Sequence, residues 1–209
     1  VPTLASEWQN PNGVPISAIL FGGRRKTTMP LVTETRDWNH GVFMGSVLSS
    51  ETTAAATGAV GVVRRDPMAM RPFIGYNVGD YLQLNIGQTE GAKLPKIFYV
   101  NWFRRDDDNS FLWPGFSENS RVLKWVFERV AGTADAVESP LGFTPAEGAL
   151  DTEGLDFTAE QLRKALAIKP EEWETELASI EEWYAELGDS VPAELRAEVD
   201  SLRERLSLA

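Results

Sequence analysis

Cysteine is absent from the 209-residue chain, which excludes a disulfide framework and thiolate chemistry. That absence agrees with a reducing compartment, and a cytoplasmic location is the expectation. Histidine occurs once, as His40 within Trp38-Asn39-His40-Gly41. A lone imidazole without thiolates cannot complete a zinc site, so a structural hydrogen-bonding role is expected of it. No apolar run approaches the roughly 18 residues that a membrane span requires. No signal-peptide pattern opens the chain, which begins at Val1. No G-x-x-x-x-G-K-[ST] string occurs, so that lysine-bearing phosphate loop is not among these residues. Positive charge is outweighed as well. The net charge of −11 argues against a nucleic-acid groove. Neither a membrane nor a nucleic-acid partner is expected.

The apolar fraction of 43% is enough to bury a core. The acidity is unevenly spread. Residues 151–209 hold 16 acidic and 6 basic side chains, whereas residues 1–150 hold 15 and 14 and are close to neutral. The break suggests a main unit over 1–150 and an acidic appendage over 151–209. Residues 1–16 are rich in Pro, Asn and Gly and read as a loop. Ile16 to Phe21 reads as a buried strand turning at Gly22-Gly23. Gly41 to Leu48, Gly58 to Val63 and Lys96 to Phe103 read as further strands, the last being β-branched and aromatic. Val122, Leu123, Val126, Phe127 and Val130 fall on helical spacing from Asn119 onward, with Gly132 placed as a cap. In the tail, Thr158 and Gln161 form a capping-box pattern. Trp173, Leu177, Ile180, Tyr184 and Leu187 then mark a second helix, ended by Gly188. Pro192 suits the first turn of a third, with Leu195, Val199, Leu202 and Leu206 on one face. The expected class is α/β (mixed α+β): a lobe with a mixed sheet, then about three amphipathic helices whose Glu-rich faces are solvated surface.

Four stretches carry possible chemistry. In Phe21-Gly22-Gly23-Arg24-Arg25, a tight turn is followed by two guanidiniums, whose forks match phosphate oxygens. The same residues also describe a plain turn with surface arginines. Ser50 to Gly58 is a run of small residues that suits a lid, and equally an ordinary helix start. Val100 to Phe103 and Phe111 to Asn119 crowd five aromatics around a polar turn. Such rings can stack on a flat base, and Asn119 can hydrogen-bond its edge, although core packing is the commoner fate. Arg64 to Phe73 is dense in Arg and Pro, with no role that follows from residue types.

Taken together, GVPISAILFGGRR, WNHGVFMGS, ETTAAATG, DPMAMRPFIGYN, KLPKIFYVNWFRRD, FLWPGFSENSRVLKW and SPLGFTPAEGALDTEGLD resemble the GTP-dependent phosphoenolpyruvate carboxykinases. The order and spacing match over essentially the whole chain, as a C-terminal portion. The resemblance implies conversion of oxaloacetate and GTP to phosphoenolpyruvate, GDP and carbon dioxide by the complete enzyme. It implies GTP/GDP as substrate, and Mn²⁺ or Mg²⁺ held by residues outside this segment. Arg24 matches the family's nucleotide-phosphate arginine. Ser50, Glu51, Thr52, Thr53, Ala54, Ala55 and Ala56 match the active-site lid. Trp102, Phe103, Phe111, Phe116 and Asn119 match the guanine pocket, with backbone at Ser117 and Glu118 assisting. A monomer is implied too.

Three departures stand out. Ser117 occupies a position where many members have glycine. Lys26-Thr27-Thr28 replaces a common Pro-Ala-Gly. Tyr81 to Gly91 leaves the usual hydrophobic pattern. Two other readings follow from the same residues: an isolated guanine-nucleotide module without catalysis, and an interaction protein using its acidic helices.

Overall fold

The computed structural model describes residues 2–53, 59–87 and 91–207. Strand β5 (Lys96–Val100) lies inside a five-stranded sheet and is buried from Ile97 onward. Successive side chains point to opposite faces, so an uninterrupted apolar run suits a strand covered on both sides. Phe98 and Val100 enter one core cluster and Tyr99 the other. Strand β1 (Ala18–Gly22) pairs with β5 in parallel, Leu20 opposite Phe98. Strand β2 (Val32–Glu34) pairs antiparallel on the other side, Thr33 opposite Tyr99. The hairpin of β6 (Ala136–Ser139) and β7 (Gly142–Pro145) completes the order β1-β5-β2-β7-β6. A separate antiparallel ribbon joins β3 (Ser49–Glu51) to β4 (Val63–Arg65).

Helices cover both faces. On one lie α1 (Trp38–Ser46), α2 (Val78–Gly87), α5 (Pro170–Leu187) and α6 (Ala193–Ser207). Their core holds Phe43, Met44, Trp173, Ile180, Trp183 and Leu195. On the other lie α3 (Asn119–Ala131) and α4 (Ala159–Leu166), around Trp113, Val122, Trp125 and Val126. Both bonds of the Thr158–Gln161 capping box are present at α4. Gly132 ends α3 in the left-handed conformation, φ 74°. The three tail helices thus form where the spacing of apolar residues placed them.

Three strand expectations are corrected. Gly41 to Leu48 is largely the helix α1, because Asp37 caps it by accepting from the His40 N–H (2.8 Å). The segment is buried from His40 to Ser46, so it shows neither period, and an apolar run alone does not separate strand from helix. Gly41 lets α1 lie against the sheet: a Cβ there would meet Ile97 Cδ1 at 2.4 Å and Ile97 Cβ at 2.8 Å. Within the expected strand from Gly58 to Val63, the chain turns at Val60–Gly61 and the strand begins only at Val63; Gly58 lies outside the described residues. The strand expected over Lys96 to Phe103 stops at Val100. There Asn101, fully buried, turns its carboxamide to the Arg25 and Met29 carbonyls, at 2.9 Å each.

Two buried carboxylates fasten the elements together. Glu34 on β2 accepts from Lys96 Nζ and Arg129 Nε, at 2.6 Å each. Glu176 on α5 lies between Arg25 Nη2 (2.6 Å) and Arg65 Nη1 (2.7 Å), and all three residues are at most 7% exposed. Arg65 also donates to the Val47 carbonyl (2.6 Å), and Arg25 to Ser49 Oγ. Arg71 lies 4.9 Å over the Trp183 ring and donates to the Arg65 carbonyl. Glu176 is therefore an exception to the solvated Glu-rich faces. Burial alone would push its carboxyl up, but the hydrogen bonds and charges of Arg25 and Arg65 outweigh burial and hold it below the usual range.

Removing one partner from such a group strands the others in a site that water does not reach. Glu176→Gln is expected to cost about 3–5 kcal/mol in urea denaturation. A loss under about 1 kcal/mol, the range of an exposed pair, would show the contact to be dispensable. His40 provides a pH test. Burial, then the charges of Arg205 and Arg36, lower its pKa to about 3, and its Nδ1 accepts from the Arg36 N–H. The unfolded chain protonates this residue near pH 6.5, so stability falls as pH drops from about 6.5 toward 3, by up to about 1.4 kcal/mol per unit. Glu176 contributes only below the ordinary Glu range near 4.3, while burial raises the nearby Glu198 carboxyl, which gains stability as pH falls and so opposes the histidine; the difference between the native chain and a His40 variant from pH 6.5 to 5 is therefore what isolates the histidine. His40→Gln should flatten the slope there; an unchanged slope would assign it elsewhere.

Candidate functional site

Strand β1 ends at Gly22, and the chain turns through Gly23, Arg24 and Arg25 against β3. A side chain at Gly23 would place its Cβ 2.1 Å from the Ser49 carbonyl oxygen, so the approach requires glycine. The turn is stitched down by three bonds. The Arg24 N–H donates to Ser50 Oγ (3.1 Å), the Glu51 N–H to the Arg24 carbonyl (2.8 Å), and the Lys26 N–H to the Glu51 carboxylate (2.7 Å). Two consecutive arginines consequently have opposite fates. Arg25 points inward to Glu176, and Arg24 is exposed.

Arg24 borders a cavity of ≈290 Å³ whose walls include Glu51, Thr52, Thr53, Phe103 and Phe111. An adjoining hollow of ≈160 Å³ is lined by Arg24 and Phe103 together with Ser50 and Trp102. Arg25, Lys26 and Arg105 also line the larger cavity, giving four cations, of which Arg25 is already paired with Glu176, against the single lining carboxylate of Glu51. Space bounded by aromatic rings and excess positive charge suits a ligand with a flat ring and an anionic group. The rings are not parallel walls: Phe103 and Phe111 meet edge to face, centroids 6.3 Å apart. The Arg105 guanidinium lies 3.9 Å above the Phe111 ring and donates to the Asn109 carbonyl.

The ribbon β3–β4 carries the segment read as a lid. Thr52 closes its base, its hydroxyl bonding the Ala59 carbonyl and the Val62 N–H and its backbone exchanging bonds with Val62 and Gly61. Ser50, Glu51, Thr52 and Thr53 therefore stand at the two cavities. Ala54, Ala55 and Ala56 lie outside the described residues.

Phe116, Ser117, Glu118 and Asn119 are not among the residues lining either cavity. They form the turn leading into α3, where Gly115 (φ 73°) and Phe116 (φ 46°) both take a positive φ. That conformation is costly for Phe116, whose ring is 96% exposed. Glu118 pairs with Arg121 at 2.6 Å. Asn119 Oδ1 accepts from Trp113 Nε1 (2.9 Å). An indole N–H only donates, so this bond fixes the carboxamide with its NH₂ turned the other way.

The sequence reading missed Glu176, Arg65 and Arg105. Glu176 had a signal: it falls three residues after Trp173 and four before Ile180, on the apolar stripe of α5, where a solvated glutamate does not belong. Arg65 and Arg105 had none, since their partners lie 111 residues away and over a ring respectively. Among the described residues, no three His, Cys, Asp or Glu side chains gather in a way that could hold a metal ion.

Comparison with known proteins places the fold. The family described as "Phosphoenolpyruvate carboxykinase C-terminal P-loop domain" matches residues 1–205. Phosphoenolpyruvate carboxykinase [GTP] of Arthrobacter sp. (strain FB24) is 60% identical over 210 residues, 99% of this chain and 34% of that protein. The protein of the same name from Corynebacterium jeikeium (strain K411) is 53% identical over 211 residues, 100% of this chain and 35% of its own length. That from Anaeromyxobacter dehalogenans (strain 2CP-C) is 53% identical over 209 residues, with the same coverage. The chain thus spans about a third of the length of these relatives. With its mixed sheet, its FGGRR turn and the cavity beside it, the chain belongs to the family of the phosphoenolpyruvate carboxykinase C-terminal P-loop domain.

Proposed function

We propose that this chain supplies the guanine-nucleotide face and the lid of an enzyme that, when complete, converts oxaloacetate and GTP to phosphoenolpyruvate, GDP and carbon dioxide. The observation that carries the reading is the cavity shared by Arg24, Phe103, Phe111 and Glu51 to Thr53. Loss of carbon dioxide leaves the electrons of the broken carbon–carbon bond on an enolate. The enolate oxygen then takes the γ-phosphoryl group as GDP departs. Such a transfer relies on positioning and charge neutralisation, and Arg24 is suited to hold phosphate oxygens. Water would protonate the enolate to pyruvate, so a lid hinged at Thr52 serves to exclude it.

Phe103 and Phe111 would stack on the base. Phe116, an exposed ring on a strained backbone, gains packing only when a ligand arrives. The Asn119 NH₂ would donate to guanine O6, where adenine presents an amino group that also donates. A site built for one such bond rejects the analogue that leaves its polar group unpaired. The divalent ion such a reaction uses does not fit the described residues, and no step here is derived through it.

Titrating GDP and ADP while following tryptophan fluorescence tests the base site, because Trp102 lines the adjoining hollow. Saturable quenching by GDP and far weaker response to ADP are expected. Phe111→Ala should weaken GDP by about 1–3 kcal/mol, the usual worth of one base-stacking ring. Equal responses to both nucleotides, or none to GDP, would remove the guanine reading. These 209 residues alone are expected to show no GTP-dependent decarboxylation of oxaloacetate; measurable turnover in a coupled assay would mean that the catalytic charge neutralisation is already present here.

A further inference from the structure

A larger cavity, ≈450 Å³, lies beside the nucleotide cavity, on the side of the junction between α4 and α5. Its wall is unusual in one respect. Arg104 is only 4% exposed, yet among the described residues no carboxylate pairs with it. Its one side-chain hydrogen bond runs from Nη1 to the Ala167 carbonyl (2.6 Å). No other side-chain hydrogen bond of its guanidinium is found among the described residues, and Arg104 lines the cavity. A mostly buried cation with a single hydrogen bond and no ion pair is stabilised by an anion placed beside it. Burial indeed pulls the Arg104 pKa down, with Glu172 only partly offsetting it.

The surroundings favour an anion further. Lys26, Arg105, Lys164 and Lys169 share the wall with Arg104, against three acidic residues, a formal excess of two positive charges. Two of the three acids are already engaged. Asp106 takes Lys164 on both oxygens at 2.8 Å. Glu172 accepts from the Thr28 N–H at 2.6 Å and lies 3.7 Å from Lys169. Asp107 remains at the rim.

We propose that this cavity is a second anion site, taking a small polyanion of the phosphate or polycarboxylate class on Arg104 and Lys169. It is distinct from the nucleotide cavity, with which it shares Lys26 and Arg105. The volume fits a ligand of several non-hydrogen atoms, more than one bound water needs. A planar guanidinium with free donors and a nearby ammonium is the pairing that recognises such groups bidentately.

The test is calorimetric titration of the chain with inorganic pyrophosphate and, separately, citrate, each with and without saturating GDP. The two titrants separate the phosphate class from the carboxylate class. At least one should bind at a single site with GDP present, more weakly as salt rises. Arg104→Gln should weaken that binding by about tenfold or more, the loss of a charge-assisted bidentate contact, and Lys169→Gln by roughly severalfold. Arg24→Gln should weaken GDP and leave the polyanion unchanged, so a failure of the nucleotide reading shows separately. If circular dichroism shows Arg104→Gln unfolded, the half-exposed Lys169 and the salt dependence decide. Binding of neither polyanion, binding abolished by GDP, or binding unaffected by the Arg104 and Lys169 changes would each overturn the second site.

Discussion

One carboxylate organises the region around the candidate site. Glu176 reaches in from a helix near the end of the chain and is gripped by Arg25, in the turn after the first strand, and by Arg65, at the end of the β3–β4 ribbon. The three come from parts of the chain 111 and 151 residues apart, so this contact forms only when the whole fold closes. Its consequence is positional. With Arg25 fixed inward and Asn101 holding the backbone on either side of it, Arg24 is left exposed at the edge of the cavity and its adjoining hollow. The ribbon bearing the lid residues is fastened by the same carboxylate. The acidic tail, expected as a helical extension packing on the first 150 residues, is joined directly to the turn and the ribbon that border the cavity.

What could be read from the sequence follows a physical division. Elements whose burial is one-sided leave a periodic record, and α3, α4, α5 and α6 were legible from spacing and caps. Elements buried all round leave none. The same silence that makes α1 and β5 similar as strings hid the helix under GVFMGS, and the Asp37 cap that distinguishes it lies four residues before that run. Short strands such as β2 and β3, three residues each, carry too little pattern to be seen. The site divides likewise. Residues near the FGGRR turn and the KIFYVNWF strand are brought together around one cavity and its adjoining hollow. The Phe116 to Asn119 turn stands apart from the cavities, because its backbone is set by Gly115 and by the bond between Trp113 and Asn119 rather than by the cavity wall.

Charge is distributed in the same economical way. The chain is strongly acidic, yet the walls of the cavities beside Arg24 and Arg104 carry an excess of cations. The acids lie mostly on solvated helix faces, where water screens them, and the few that are buried each answer to two basic groups. A net charge computed over the whole chain thus says little about what its concave surfaces attract. Local balance, counted over the lining residues and corrected for carboxylates already engaged, is the informative quantity.

The guanidinium resting on Phe111 gives the cavity a built-in competitor. A ring face that already holds a cation is not vacant apolar surface, and a contact of this kind is worth about 0.5–2 kcal/mol. Any flat group that stacks there exchanges one partner for another, so its net gain is a difference between two contacts. The displaced arginine must also find a new counterpart, and a ligand bearing phosphate brings one with it. A bare base would strand that charge. Ring recognition and anion recognition are in this way thermodynamically linked through a single side chain, and a molecule offering only half of the pair is penalised on both counts.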